Sequence, residues 1–377
     1  MRVLHLLSST GFHGAENMAA ELIRGLAGRG VENYVGTLRS GEDSNTEIIG
    51  AVHGIVRDAA VFDCRGRVDW RVLFALRRYV REHGIDVVHS HKYKTNFYAA
   101  LACAGLPCAL VGTCHNWLLS SAKMRFYAAL DKRVLKAFDR AVGVSQAVLG
   151  ELRKHLDETR AVKIDNGVDT TRFSGAIPRQ AAKAALGLVG KATAGFVGRL
   201  SLDKGVSNLL LAVRILQTKG IEIEVLVVGE GEHGSELRRE VRALGIEDNV
   251  HFLGRRSDTP QLYAAMDILV LPSLAEAFPM VVLEAMAMGV PVIASRIGDI
   301  PYILGGDGIL VEPGAVEGLG AAIEGVLHDP TGAQRKATAG QQRVREHFSS
   351  LAMARRYHEL YVDALETRDR AHQLLKR

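Results

Sequence analysis

Residues Leu271–Pro301 read LPSLAEAFPMVVLEAMAMGVPVIASRIGDIP, and this stretch decides the fold. A short apolar strand, Ile268–Leu271, runs into a Pro-Ser break, and the loop Ser273–Phe278 feeds a helix. Pro279 suits the first helical position, where its missing N–H loses no hydrogen bond. Val281, Val282, Leu283, Ala285, Met286 and Met288 make the helix apolar nearly all round, which predicts burial. Gly289 caps it, Pro291 stops it, and Val292, Ile293 and Ala294 start the next strand. Strand, loop, buried helix and strand in this order make a βαβ unit, whose ligands gather at the loop and the helix N-terminus.

Two carboxylates, Glu276 in the loop and Glu284 in the helix, interrupt this apolar unit. Eight residues of helical rise span about 12 Å, the length of a sugar-diphosphate-ribose unit. An ionised Glu inside a buried helix is costly without partners, and paired ribose hydroxyls would serve. The free N–H groups around Phe278, Pro279, Met280 and Val281 suit a diphosphate. The plain alternative makes Glu276 a solvated loop residue and Glu284 a member of a core ion pair.

SLAEAFPMVVLEAMAMGVPVIAS resembles the E-x7-E donor-binding segment of family 4 glycosyltransferases. The resemblance implies the two-domain GT-B architecture, an α/β fold of two Rossmann-like doubly wound domains with a cleft between them. It also implies sugar transfer with retention of anomeric configuration. Ala277 stands where the family usually has glycine, which asks whether this loop needs a positive φ.

A chain of 377 residues suits two domains, and its 47% hydrophobic and 24% charged content is ordinary for a globular protein. No apolar run approaches the roughly 20 residues that span a bilayer. The N-terminal apolar run is too short for a signal peptide and reads as a first buried strand, so a cytoplasmic protein is expected. Cys64, Cys103, Cys108 and Cys114 lack the spacing of a zinc site and read as core thiols. The net charge of +5 suits an anionic partner without choosing among nucleic acid, phospholipid and diphosphate.

From Met1 to about Phe173, apolar strands alternate with amphipathic helices. Strands are predicted at Val3–Leu7, Tyr34–Leu38, Asp86–His89, Ala109–Thr113, Arg140–Val144 and Val162–Ile164. Helices are predicted at Asp69–Glu82 and Ser121–Ala137. The first strand ends in SSTGFHGAEN, which resembles the family's G-G-A-E element with His13 in place of the first glycine. By that resemblance Gly14 approaches the donor, and His13, Gly14 and Glu16 serve the acceptor. Asp86–His91 resembles the family's D-V-V-H-x-H strand end, which adds His89 and His91 on the acceptor side; a bound metal is not expected. In GTCHNW, Gly112–Trp117, the resemblance gives His115 the role of facing the donor sugar.

The segment 117–140 mixes aromatics with Lys123, Arg125, Lys132, Arg133, Lys136 and Arg140. Such a helix suits an anionic membrane surface and a lipid-linked acceptor, and an ordinary solvated face is the equal alternative. Asn166–Phe173 resembles the family segment that ends the first domain.

The second domain is predicted over 174–350, opening with a strand at Ala192–Val197 and then Gly198-Arg199-Leu200-Ser201-Leu202-Asp203-Lys204-Gly205. A guanidinium and an ammonium delivered into one loop make a clamp for phosphate. By resemblance Arg199 and Lys204 hold the donor diphosphate, with Gly198 and Gly229 in the turns beside it. Tyr302 departs from the family's glutamate. The last helix, from Leu351 to about Leu375, resembles the family's C-terminal helix that returns to the first domain.

No D-x-D occurs in the chain, so fixed cations are expected to do the work of a bound metal, and no cofactor is expected. Glu276 would bind the sugar hydroxyls, His115 would sit over the ring, and Glu284 would hold the ribose. The catalytic set expected is therefore His115, Arg199, Lys204 and Glu276. The substrates expected are a nucleotide sugar and a glycan or lipid-linked hydroxyl, in cell-envelope polysaccharide synthesis at the inner face of the cytoplasmic membrane. A nucleotide-sugar epimerase of the same architecture and an inactive relative are the alternatives; the chain carries no recognisable nucleic-acid motif.

Overall fold

The computed structural model describes residues 1–8, 14–40, 46–66, 68–115, 117, 122–174 and 176–375. The chain divides into two compact units, Met1–Gly167 together with Ser350–Arg377, and Val168–Ser349.

The first unit holds a seven-stranded parallel sheet in the order β3-β2-β1-β4-β5-β6-β7. Its strands are β1 (Arg2–Leu7), β2 (Glu32–Arg39), β3 (Asp58–Asp63), β4 (Val87–Ser90), β5 (Ala109–Cys114), β6 (Arg140–Gly143) and β7 (Ala161–Lys163). The central strands are buried along their length because helices cover both faces of the sheet. That burial makes them legible as apolar runs. β3 escaped prediction: it is an edge strand, mostly open to solvent, and its apolar run is only the short AAVF between two aspartates. The helix Trp70–Glu82 starts where Asp69 accepts a hydrogen bond from Arg71 N at 3.1 Å, a side-chain cap. The predicted Ser121–Ala137 helix is a helix over Ala122–Val134 that tightens into a 3₁₀ turn over Leu135–Ala137.

The final helix, Ser350–Leu375, belongs to this first unit and packs on the helix Gly14–Ala27. At the crossing, a Cβ on Gly25 would lie 2.6 Å from Ala354 Cβ, so the two helices approach more closely than any side chain at that position allows.

The second unit holds a six-stranded sheet ordered β10-β9-β8-β11-β12-β13. Its strands are β8 (Thr193–Val197), β9 (Glu224–Val228), β10 (Val250–Gly254), β11 (Ile268–Leu271), β12 (Val292–Ser295) and β13 (Ile309–Val311). The division falls at Gly167/Val168 rather than at Phe173. Val168 N already donates to Phe348 O at 2.9 Å, and the Phe173 ring lies 6.1 Å from that of Tyr263, so both residues pack inside the second unit.

In each unit the order reverses beside one strand, at β1/β4 and at β8/β11. The loops leaving such a pair diverge and open a crevice at the carboxyl ends of the strands. In the second unit those loops are 198–205 and 272–279, which carry Arg199, Lys204 and Glu276.

Candidate functional site

The switch point of the second unit brings its charges together. Lys204 lies at the end of the 3₁₀ turn Leu202–Lys204, and its Nζ stands 2.6 Å from Glu276 Oε1. The same carboxylate oxygen accepts from Ser273 Oγ at 2.9 Å. The two loops are also tied by backbone, since Asp203 O accepts from Leu274 N at 2.7 Å and from Ala275 N at 3.3 Å. Arg199 stands in the same loop as Lys204, half exposed, with its guanidinium 3.7 Å from Asp203. Sequence reasoning missed Ser273 and Asp203, whose short polar side chains look like ordinary loop composition.

Pro279 is the residue before the helix rather than its first: its φ of −75° and ψ of 119° are extended, and the helix runs Met280–Ala287. Ala277 needs no special backbone, because no non-glycine residue among those described has a positive φ. The special position is Gly298, with φ 53° and an imagined Cβ only 2.3 Å from Glu276 O. A side chain there would push against the peptide that carries the acid. Gly229 is constrained likewise, since a Cβ would come within 1.9 Å of Gly198 O. Tyr302 is half exposed and packs edge-on against Phe348 at 5.8 Å, and Phe348 in turn meets Phe278 at 5.9 Å. The departure from glutamate thus builds an aromatic contact reaching the site loop.

Glu284 is buried in the apolar helix, and burial raises its carboxyl above the usual carboxylate range. Its Oε2 accepts from the Tyr263 hydroxyl at 2.7 Å, a partner 21 residues upstream that the sequence could not reveal.

The first unit assembles a stack of imidazoles. His5 in β1 is register partner of His89 in β4, and their rings lie 5.5 Å apart. His91 follows at 4.1 Å from His89, and His115 stacks on His91 at 6.1 Å. Burial lowers His5 and His115 to about 4 and holds His89 and His91 well below their ordinary value, so the whole stack is neutral at pH 7. His89 Nδ1 is 2.7 Å from Tyr361 Oη and its Nε2 is 2.7 Å from Thr113 Oγ1, so this ring faces inward with both nitrogens committed. Thr113 Oγ1 is also 2.9 Å from Tyr357 Oη. By contrast, both ring nitrogens of His91 and Nε2 of His115 are buried without a protein partner. Ring nitrogens of His5, His89 and His91 lie within 4.8 Å of one another. An ion there would have to break one of the His89 hydrogen bonds. Glu16, in the first turn of its helix, is buried with Lys92 Nζ 2.5 Å away, while Gly14 is exposed at the helix start. His13 lies outside the described residues. All four cysteines are free and buried.

Residues 178–343 match the glycosyl transferases group 1 family, and residues 12–172 match glycosyltransferase family 4. Glycogen synthase of Mycobacterium tuberculosis is 30% identical over 294 residues, 74% of this chain and 69% of that protein. The UDP-Gal:alpha-D-GlcNAc-diphosphoundecaprenol alpha-1,3-galactosyltransferase of Escherichia coli is 30% identical over 278 residues, 69% of this chain and 71% of that one. The chain belongs to glycosyltransferase family 4. Among solved structures, Anabaena HepE in complex with UDP superposes with a TM-score of 0.83 at 22% identity, covering 96% of this chain and 100% of that one. WaaG, a glycosyltransferase involved in lipopolysaccharide biosynthesis, gives a TM-score of 0.71 at 18% identity over 95% and 99% of the chains. The fold of this family 4 glycosyltransferase is therefore GT-B, as the E-x7-E segment implied. The relatives named are transferases, and the epimerase alternative is not adopted. Among its described residues no helix is long and apolar enough to cross a membrane.

Proposed function

We propose that the enzyme transfers a sugar, with retention, from a UDP-sugar to a hydroxyl of a glycan or lipid-linked acceptor in cell-envelope polysaccharide synthesis. The observation that carries this reading is the meeting of Lys204 and Glu276 at the switch point of the second unit, beside the N-terminus of helix Met280–Ala287. One loop supplies cations for a diphosphate, and the other supplies an acid for sugar hydroxyls. Arg199 and Lys204 take up the negative charge of the departing nucleotide, which does the electrostatic work without a metal. Glu276 binds the sugar hydroxyls, and Glu284, held by Tyr263, binds the ribose.

From the first unit we assign His115 to the donor sugar, where its neutral ring offers Nε2 without adding a further cation. Glu16 and His91 are assigned to the acceptor. The acceptor oxygen attacks the anomeric carbon from the face that the nucleotide leaves. The C–O bond to the β-phosphate breaks, the diphosphate departs with the electron pair, and the hydroxyl proton passes to its oxygen. A UDP donor is supported by the UDP complex of HepE and by the UDP-galactose relative, and a lipid-linked acceptor by that same relative.

A thermal-shift screen of UDP-, GDP- and ADP-sugars tests the donor. Ligand at 100 times its dissociation constant adds about 2.7 kcal/mol to stability, so the UDP series should raise the melting point most. A larger rise with GDP or ADP sugars would replace the donor assigned here.

A further inference from the structure

At the switch point of the first unit, two lysines lean across the strand ends. The helix Tyr93–Ala102 follows β4, with Lys92 as its N-cap and Lys94 in its first turn. Lys92 Nζ lies 2.5 Å from Glu16 Oε1, in the first turn of the helix that follows β1. Lys94 Nζ donates to Ser40 Oγ, just past the end of β2. Both side chains therefore cross from β4 toward β1 and β2, over the place where the strand order reverses. Loops diverge there, and the ligands of parallel sheets gather in the opening.

The charges at this place do not cancel. Glu16 answers Lys92, whereas Lys94 is half-buried and meets a hydroxyl instead of a carboxylate. A half-buried ammonium has given up hydration that one hydroxyl replaces only in part. The first turn of the helix adds its free N–H groups and the positive end of its dipole. The imidazoles beside it point the same way. His91, the residue before Lys92, is buried with neither ring nitrogen partnered, and His115 Nε2 is likewise buried and unpartnered. The Lys92 charge acts on both rings, so lysine and imidazoles share one locality. A neutral imidazole offers an N–H to a ligand oxygen, and a buried nitrogen left without a partner is costly.

We propose that Lys92, Lys94 and the first turn of helix Tyr93–Ala102 bind a phosphate group carried by the acceptor, with His91 beside it. The acceptor is then an anion, a sugar phosphate or a sugar diphosphate, rather than a neutral glycan. The inference deepens the assignment of the acceptor to the first unit and rests on it. Ammonium groups and backbone N–H groups suit phosphate, because point charges and helix donors need no planar partner. Glu16 opposes an anion at the same place and so limits how tightly it is held.

The full chain, saturated with UDP so that the donor loops of the second unit are occupied, is titrated with inorganic phosphate and with pyrophosphate by calorimetry. One further site is expected, weakening as salt rises. Lys94→Gln should weaken it about tenfold or more, the scale of one charged hydrogen bond, and Lys94→Arg should keep most of it. Glu16→Gln should tighten it. Absence of a site beyond that of UDP overturns the proposal. So does unchanged affinity in Lys94→Gln, which would make Lys94 a tether between the helix and β2. In transfer assays, sugar 1-phosphates and sugars on a short prenyl diphosphate stand for the two sources of the anion, with neutral methyl glycosides beside them. Transfer is expected to one of the charged series, with Lys94→Gln raising KM for it and leaving KM for the UDP-sugar unchanged. Equal transfer to the methyl glycosides would overturn the acceptor assignment. Anion binding that depends on Lys94 while UDP itself gives no thermal shift would count against the donor reading and leave this site standing.

Discussion

Lys204 and Glu276 pose opposite demands on one contact. Their 2.6 Å pair is mostly buried, with side-chain exposures of 20% and 9%, so removing the ammonium strands a carboxylate and also takes away the charge proposed to meet the departing phosphate. Lys204→Ala should cut turnover by roughly 100-fold, the scale seen when one preorganised charge stabiliser is lost. It should also lower stability by about 1–3 kcal/mol, because among the described residues Glu276 keeps only Ser273 as a side-chain donor. The two effects separate in the double variant Lys204→Ala, Glu276→Gln, where a neutral amide needs no cation. Melting should recover in that variant while the rate stays low. Recovery of the rate in steady-state assays would show that Lys204 serves the loop rather than the departing phosphate.

Among the elements, the helix Ser350–Leu375 reaches the histidine stack through side chains rather than by apolar contact alone. Tyr361 meets His89, His89 meets Thr113, and Thr113 meets Tyr357, all buried and all within 2.9 Å. β5 holds Thr113 and delivers His115 two residues later, while β4 holds His89 and delivers His91. The chain of hydroxyls therefore fixes the two strand ends that carry the buried imidazoles with unpartnered nitrogens. Tyr361→Phe leaves His89 Nδ1 without a partner and should destabilise by about 1–3 kcal/mol, the cost of one unsatisfied buried group. Thr113→Val should destabilise similarly, and the double variant should fall short of the sum because both act on one ring. Simple additivity in chemical denaturation would mean that the contacts are independent. None of this coupling was legible in the sequence, where Tyr361 and His89 lie 272 residues apart. D-V-V-H-x-H marked the histidines without saying which is committed to the core; only the packing shows His89 with both ring nitrogens paired and the equally buried His91 with neither paired.

For the whole molecule, the sequence disclosed the alternation of strand and helix because parallel strands buried on both faces must be continuously apolar. It singled out Arg199, Lys204 and Glu276 only through their resemblance to family segments, and the structure places all three in loops at the carboxyl ends of β8 and β11. It hid Tyr263, whose contact with Glu284 exists only once two helices pack, and Ser273, whose hydroxyl three residues before Glu276 looks like ordinary loop composition. The two units also differ in how their chain is laid out, and this has a consequence for folding. Val168–Ser349 is one continuous stretch with its own sheet, its own core and the whole Lys204–Glu276 contact. The first unit is discontinuous: residues 1–167 need Ser350–Leu375, whose Tyr357 and Tyr361 cover the fully buried Thr113 and His89. A fragment of residues 168–349 should therefore fold alone, melt cooperatively and keep a UDP-dependent rise in melting temperature. A fragment of residues 1–167 should lack a cooperative transition, because without the last helix it exposes β5 and the imidazole stack to water. Joining residues 350–377 to 1–167 through a flexible linker should restore the transition, since loop closure entropy grows only slowly with linker length. A cooperative melt of residues 1–167 alone would show that the final helix decorates a unit already stable without it.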